Sequence, residues 1–184
     1  MKYLLLLVIL IFGARSLNAQ SVDTIEQYLN YDMKKCEPAN ATYFRMAIKE
    51  GQWWKVKDFY IKEQVKKYDG YFVKYDHDTF SYKQGMHTEY HENGRIRNKV
   101  RYLNNLREGL YKAYDTGGRI TDSVLFKNNL PNKYGYGWYS DGKVRMKGIY
   151  DTDTTGIGEE WEYHPNGKLA SYGKLAKGYL SDSV

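Results

Sequence analysis

A single heptapeptide pattern recurs four times and constrains everything else. Tyr90-His91-Glu92-Asn93-Gly94-Arg95-Ile96 returns as Tyr114-Asp115-Thr116-Gly117-Gly118-Arg119-Ile120, Trp138-Tyr139-Ser140-Asp141-Gly142-Lys143-Val144 and Tyr163-His164-Pro165-Asn166-Gly167-Lys168-Leu169. The glycines at 94, 118, 142 and 167 are 24, 24 and 25 residues apart, a spacing that marks an array of small supersecondary units. Pro165 fixes the local geometry. As the first of three loop residues it takes its locked φ, and Gly167 then takes the left-handed position of a bulged turn; a two-residue turn would force Pro165 into the ladder, where it cannot donate.

Three-residue loops pair Tyr90 with Ile96, Tyr114 with Ile120, Trp138 with Val144 and Tyr163 with Leu169, all apolar. Continued without interruption, this register sets Met86 against Val100 and Leu110 against Val124 on the same face. The other face, carrying His91 with Arg95, Glu89 with Arg97, Asp115 with Arg119 and Tyr139 with Lys143, is expected to be wet. The third copy departs from the rest: Lys133 stands where Gly85, Gly109 and Gly158 stand, and Gly135 and Gly137 fall on the expected wet face between aromatics. They leave a groove there, or simply a twist or bulge.

The copies run approximately 83–105, 106–129, 130–154 and 155–180, joined by short turn-rich connections that make neighbours antiparallel. The expected fold is all-β, an antiparallel meander of repeated hairpins behind an N-terminal aromatic-rich β cap. Twenty tyrosines and only three prolines suit such strands. Within the cap, residues 20 to about 40 are polar and end in a turn at Glu37-Pro38-Ala39-Asn40. Residues 41–60 read as two strands joined at Glu50-Gly51-Gln52, with Tyr43, Phe44, Trp53, Trp54, Phe59 and Tyr60 packing the core. Residues 53–82 resemble a worn copy of the repeat, with Phe59 in the place of Tyr90, Glu63 in that of the turn glycine, and Val65 and Tyr71 in those of Ile96 and Tyr102. A longer connection, Asp76 to Tyr82, follows. The expected organisation is a segment 1–19, an N-terminal module 20–82, and an array 83–184.

Residues 1–19 read as a secretory signal peptide: Lys2, the apolar run Tyr3 to Phe12, then Gly13-Ala14-Arg15-Ser16-Leu17-Asn18-Ala19. Ten apolar residues fall short of the roughly 20 a membrane helix requires. Removing the segment leaves 26 basic against 22 acidic side chains, a net +4. The module 20–82 is balanced at 10 basic and 10 acidic, so the excess, 16 against 12, lies on the array. The sole cysteine, Cys36, has no internal disulfide partner, and a packed thiol is expected.

The chain offers little chemistry. Gly-x-Ser-x-Gly, His-Glu-x-x-His, Cys-x-x-Cys and phosphate-loop patterns do not occur. In a strand, His87 and His91 share a face roughly 13 Å apart, too far to hold one ion. No catalytic residue, metal or cofactor is therefore expected, and the chain reads as a binding protein. Candidate binding residues are the basic stripes Arg95, Arg97, Lys99, Arg101 and Lys143, Arg145 (echoed by Lys147), with Tyr111 and Tyr139 as aromatic anchors; Gly94, Gly118, Gly142 and Gly167 are the structural turn positions.

On these residues the repeat resembles the MORN-type variant of bacterial proteins labelled as YwqK-type antitoxins, over 83–180. The stretch Trp53-Trp54-Lys55-Val56-Lys57-Asp58-Phe59-Tyr60 resembles a module that precedes such repeats in exported envelope proteins of Gram-negative bacteria. The resemblance implies a β-array serving as a binding surface, and transfers no catalytic residue. The expected function is a protein-binding scaffold in the periplasm or at the outer surface, its partner another envelope or secreted protein. The alternatives are an immunity protein neutralising an exported toxin, and an adaptor for anionic lipid or surface glycan. Nucleic acid is not an expected partner.

Overall fold

Among the described residues thirteen strands follow one another in a single antiparallel meander, each bonded along its length to its neighbours in sequence. A computed structural model describes residues 23–151, 157–176 and 179–183; the expected signal segment lies outside the described residues. The strands are β1 (Thr24–Leu29), β2 (Tyr43–Glu50), β3 (Trp53–Tyr60), β4 (Val65–Asp76), β5 (Thr79–Tyr90), β6 (Ile96–Leu103), β7 (Leu106–Tyr114), β8 (Ile120–Lys127), β9 (Leu130–Trp138), β10 (Val144–Tyr150), β11 (Gly158–Tyr163), β12 (Leu169–Ala176) and β13 (Tyr179–Ser183). One 3-10 turn, Pro38–Asn40, interrupts the pattern. Backbones lie close only between sheet neighbours, so among the described residues the sheet has no second layer, although in the cap side chains also meet across one strand, as Trp54 of β3 and Phe80 of β5 do at 5.9 Å.

The repeated turns have the expected form. In each, the glycine N–H returns to the carbonyl three residues back, as Gly94 to His91 at 2.9 Å and Gly167 to His164 at 2.8 Å. The flanking residue closes the loop, with His164 N bonded to Lys168 O at 2.8 Å. Gly94, Gly118, Gly142 and Gly167 have φ between +79° and +88°, which side chains with a Cβ adopt at a cost. All four apolar pairs next to the turns are present.

Beyond those pairs the register departs from the expected one. Tyr90 faces Ile96, but Glu89 faces Asn98, leaving Arg97 as an extra residue. The same slip leaves Thr121, Arg145 and Ala170 unpaired in the later hairpins, and Lys67 in β4. A bulge bends the strand and re-aims the side chains that follow. Consequently Val100 pairs with His87, not Met86, and Val124 with Tyr111, not Leu110.

The slip puts the two strands of a hairpin out of step. His87 and Val100 are 4% and 5% exposed, whereas Met86 is 51% exposed. On the first strand of each hairpin the residues expected to be wet thus point inward, whereas on the second strand Val100 stays buried, as expected. The spine of this inner face repeats with the period: Phe72, Phe126, Tyr150 and Leu175 are buried, with Tyr102 half-buried in the same series. Gly135 and Gly137 lie on this face, and the groove expected there is filled from within: a Cβ on Gly135 would sit 3.3 Å from the Tyr150 ring, and one on Gly137 2.7 Å from the Arg145 guanidinium.

Hairpins are joined by two-residue turns, His77-Asp78, Asn104-Asn105 and Asn128-Asn129, with both residues at positive φ. The first replaces the longer connection expected over Asp76 to Tyr82, because Thr79 to Tyr82 already belong to β5. Asparagine tolerates this conformation and also staples neighbours: Asn105 N reaches Lys83 O at 2.9 Å while its Oδ1 accepts from Lys83 N at 3.1 Å. Asn129 repeats both bonds on Arg107.

The N-terminal cap forms as expected over β2 and β3, and adds β1, whose residues give no apolar alternation. The densest apolar cluster is here, with Ala47, Val56, Phe72 and Phe80 buried against Ile25, Trp54, Tyr68 and Tyr75. In the worn copy the loop is one residue longer than in the array. Gln64, not Glu63, takes positive φ, and Phe72, not Tyr71, stands in the series with Tyr102. Cys36 is half-buried and carries no disulfide.

Candidate binding site

Two surfaces carry unused recognition chemistry, one on each face. On the outer face, an unbroken row crosses eight strands: Thr88, Lys99, Lys112, Ser123, Tyr136, Lys147, Trp161 and Tyr172, each paired with the next. Beside it lie Met86, paired with Arg101, Leu110, paired with Leu125, and Tyr134, paired with Ile149, the four apolar residues Met86, Leu110, Tyr134 and Ile149 being exposed by 51%, 41%, 43% and 49%. Tyr134, Tyr136 and Trp138 form a ring ladder along β9, with centroids 6.3 and 5.8 Å apart. Trp161 packs on Tyr172 at 5.5 Å, with the Lys147 ammonium 5.6 Å from the indole. Aromatics combine large contact area with few rotatable bonds, which is why they anchor interfaces.

On the inner face, a cleft of about 190 Å³ opens between the cap and the first hairpin of the array. Arg45 and Asp58 form its floor through a fork of two bonds, 2.7 and 2.8 Å, with Asp58 fully buried. Lys67, Lys83, Glu89, Arg97, Tyr60 and Tyr90 contribute to the walls. Glu89 accepts from the Asn98 amide at 2.9 Å, not from Arg97, because the bulge displaces Arg97 from that pairing. The Tyr60 hydroxyl donates to Tyr90 O at 3.2 Å.

His87 lies behind the cleft. Its Nε2 faces the carbonyls of Tyr71 at 2.9 Å and Gln84 at 3.2 Å, so the proton belongs on Nε2 and Nδ1 accepts from the Tyr68 hydroxyl. Burial, aided by the Lys83 charge, pushes the imidazole down to about 4. Burial also raises the Tyr68 phenol far above its ordinary range. His91 is separate, its Nε2 bonded to Tyr114 O at 2.9 Å.

The expected basic stripes are not stripes. Arg97 and Arg145 are bulge residues on the inner face; Lys99, Arg101 and Lys147 lie on the outer face; Arg95 and Lys143 sit at the turns. There Arg95 donates to Gly117 O at 2.6 Å and Lys143 to Pro165 O at 3.0 Å, tying one hairpin to the next. Arg145 is held by Asp122 at 2.6 Å. Tyr139 donates to Tyr163 O at 2.6 Å, an inter-hairpin staple, and Tyr111 packs on Phe126 at 6.2 Å on the inner face. Of the eight expected binding residues, Arg97 alone lines the cleft, with Lys99 and Arg101 on the exposed outer face. Sequence reasoning missed Lys67 and Lys83; their signal was positional, since Lys67 occupies the bulge position that Arg97 occupies one hairpin later.

No family model and no curated protein matches the chain. A solved structure described as a crystal structure of a GtfA/B complex bound to UDP and GlcNAc is similar over 90% of this chain and 29% of that one, at 12% identity and a TM-score of 0.27. The chain thus spans less than a third of that structure, and a likeness this slight carries no argument about fold or function.

Proposed function

We propose that the protein is a non-enzymatic, exported scaffold that docks an acidic envelope or secreted protein on the outer face of its sheet. The observation that carries this reading is the exposure of Met86, Leu110, Tyr134 and Ile149 on one face of an unlayered sheet. Large apolar side chains exposed on several neighbouring strands, with the ring ladder Tyr134, Tyr136 and Trp138 among them, favour an interaction surface. Its charges bear on the partner's character: Lys99, Arg101, Lys112 and Lys147 outnumber Glu108 and Glu159 around the apolar side chains, so a complementary surface presents carboxylates beside apolar groups. The apolar run at Tyr3 to Phe12 supports export. The immunity-protein alternative uses the same face, and differs only in what binding does to the partner.

The test is a crosslinked pull-down of the mature protein from the envelope fraction of its own cells, with a Tyr134→Ser/Ile149→Ser variant and Arg97→Gln in parallel. One salt-resistant protein at near-equal amount, lost with the outer-face variant and retained by Arg97→Gln, is the expected result. Capture indifferent to the outer-face changes overturns the assignment.

A further inference from the structure

A second cavity, of about 410 Å³, lies at the end of the sheet where the loops after β1, β3 and β5 come together. That volume falls within the range of about 300–1,000 Å³ usual for small-ligand pockets. Its origin is a gap in the repeat. Two residues before the bulge, the later hairpins carry Arg95, Arg119, Lys143 and Lys168, and the worn copy carries Val65. Arg95 and Lys143 tie their turns to the next ones through backbone carbonyls, at 2.6 and 3.0 Å. Val65 has no donor to offer, and its loop, 61–64, is one residue longer, so no such tie closes it onto the turn at Glu92.

The walls are aromatic and acidic. Tyr31 stands 79% exposed at the rim, and Tyr60 meets Tyr43 edge-on at 5.7 Å. Burial raises the Tyr43 phenol, and Tyr31 and Glu92 raise it further; burial, Tyr43 and Glu92 likewise raise Tyr60, against the opposing charge of Arg97. Glu92 thus acts on both phenols. Tyr43 itself is buried, with the Lys67 ammonium already 4.7 Å from its ring, so the rings left open are Tyr31 and Tyr60. Among the described residues neither of these carries a cation, and Glu63 and Glu92 have no ion pair. Lys62 also lines the cavity, exposed and paired with neither glutamate, which leaves two carboxylates against one ammonium.

That balance disfavours an anion. A metal ion finds no third His, Cys, Asp or Glu beside the two glutamates among the described residues. An ammonium carried on carbon suits both halves of the lining, since ring faces attract it and carboxylates supply its counter-charge. The chain uses the same chemistry internally, with lysine ammoniums 5.2, 4.6 and 5.2 Å from the rings of Tyr71, Tyr82 and Tyr90. We infer that this cavity is a binding site for an alkylammonium group, received on the Tyr31 and Tyr60 rings with Glu63 and Glu92 as counter-charge. The site is independent of the outer-face docking, and a failure of one leaves the other standing.

NMR titration of the whole mature protein tests it, with tetramethylammonium, N-acetyl-lysine methylamide and acetate as separate probes at physiological salt, and phosphatidylcholine vesicles as a fourth. The expected result is saturable one-site binding of an ammonium probe with a dissociation constant below about 10 mM, weakened about fivefold by Tyr31→Ala and by Glu92→Gln. Tyr31→Trp retains it, and Tyr134→Ser/Ile149→Ser on the outer face leaves it unchanged. Melting curves confirm that the variants are folded. Vesicle binding lost in Tyr31→Ala identifies a lipid headgroup as the source, and binding of the lysine derivative with indifference to vesicles identifies an amine in solution or on a polypeptide. Absence of saturation by both ammonium probes, equal shifts from acetate, or indifference to Tyr31→Ala overturns the inference.

Discussion

The cap and the array use one backbone device and fill it differently. In the cap the inner face is packed by rings: Trp54 lies 5.6 Å from Tyr75 and 5.9 Å from Phe80, and Phe72 lies 5.8 Å from Phe80, around Ala47 and Val56. In the array the row beside the spine thins from Val100 and Val124 to Gly148 and Gly173. The spine residue compensates. Tyr150 lies across Gly135 and Gly148, its hydroxyl bonded to Glu160 at 2.5 Å, and burial with that bond raises the phenol far above its ordinary range. The repeat thus transmits turns and bulges faithfully, while side chains trade volume between neighbouring rows. A single-layer sheet tolerates this because each hairpin packs chiefly against the next.

Breaking the cap has the largest expected effect. Asp58→Ala leaves the half-buried Arg45 without its partner and opens a hole where the buried carboxylate stood, and is expected to cost about 3 kcal/mol, read by urea denaturation. In the array, Gly148→Val is expected to cost about 1–3 kcal/mol, because the new Cβ meets the Tyr150 hydroxyl. Tolerance of valine at 148, as at 100 and 124, would show that the rows do not trade volume. Gly118→Val, at φ +88°, is expected to cost about 1–2 kcal/mol, against at most about 0.5 kcal/mol for the exposed Arg97→Ala.

His87 sharpens the comparison through pH. Its folded value is depressed from 6.5 to about 4, so its contribution is fully present above pH 6.5, where both states are neutral, and is lost as pH falls towards 4, where the unfolded chain takes up the proton first. Lys83 opposes protonation and Asp69 favours it. His87→Phe is expected to flatten this limb of the stability–pH curve, and Tyr111, in the equivalent array position, confers no such limb. The smallest effect is a gain: Lys133→Gly relieves a non-glycine residue at φ +63° and is expected to raise stability by roughly 0.5 kcal/mol.

The turns were legible because their chemistry is specific. Only a left-handed residue closes a loop that begins with Pro165, and Asn or Gly supplies it. The second bulge was not legible, since its extra residue is Lys67, Arg97, Thr121, Arg145 or Ala170, a set with no shared side-chain property. One unseen residue puts the two strands of a hairpin out of step, which is why Val100 was rightly expected inside while Met86 and Leu110 were wrongly set with it and His87 outside. The same slip hid the cleft by separating Arg97 from Lys99 and Arg101. Strand β1 was missed because Glu26 and Gln27 break its alternation; Gln27 is nonetheless buried, its amide reaching Asp78 Oδ1 at 3.3 Å.

The most direct test of this face assignment is the rate of maleimide labelling at two positions in a Cys36→Ser background, Met86→Cys and Val100→Cys. With the bulge at Arg97 the two lie on opposite faces: Met86→Cys is expected to react at once in the native protein, and Val100→Cys only as fast as the sheet opens. Comparable rates at both positions would place them on one face, as an unbulged hairpin requires, and would contradict the assignment of the outer face as the free one.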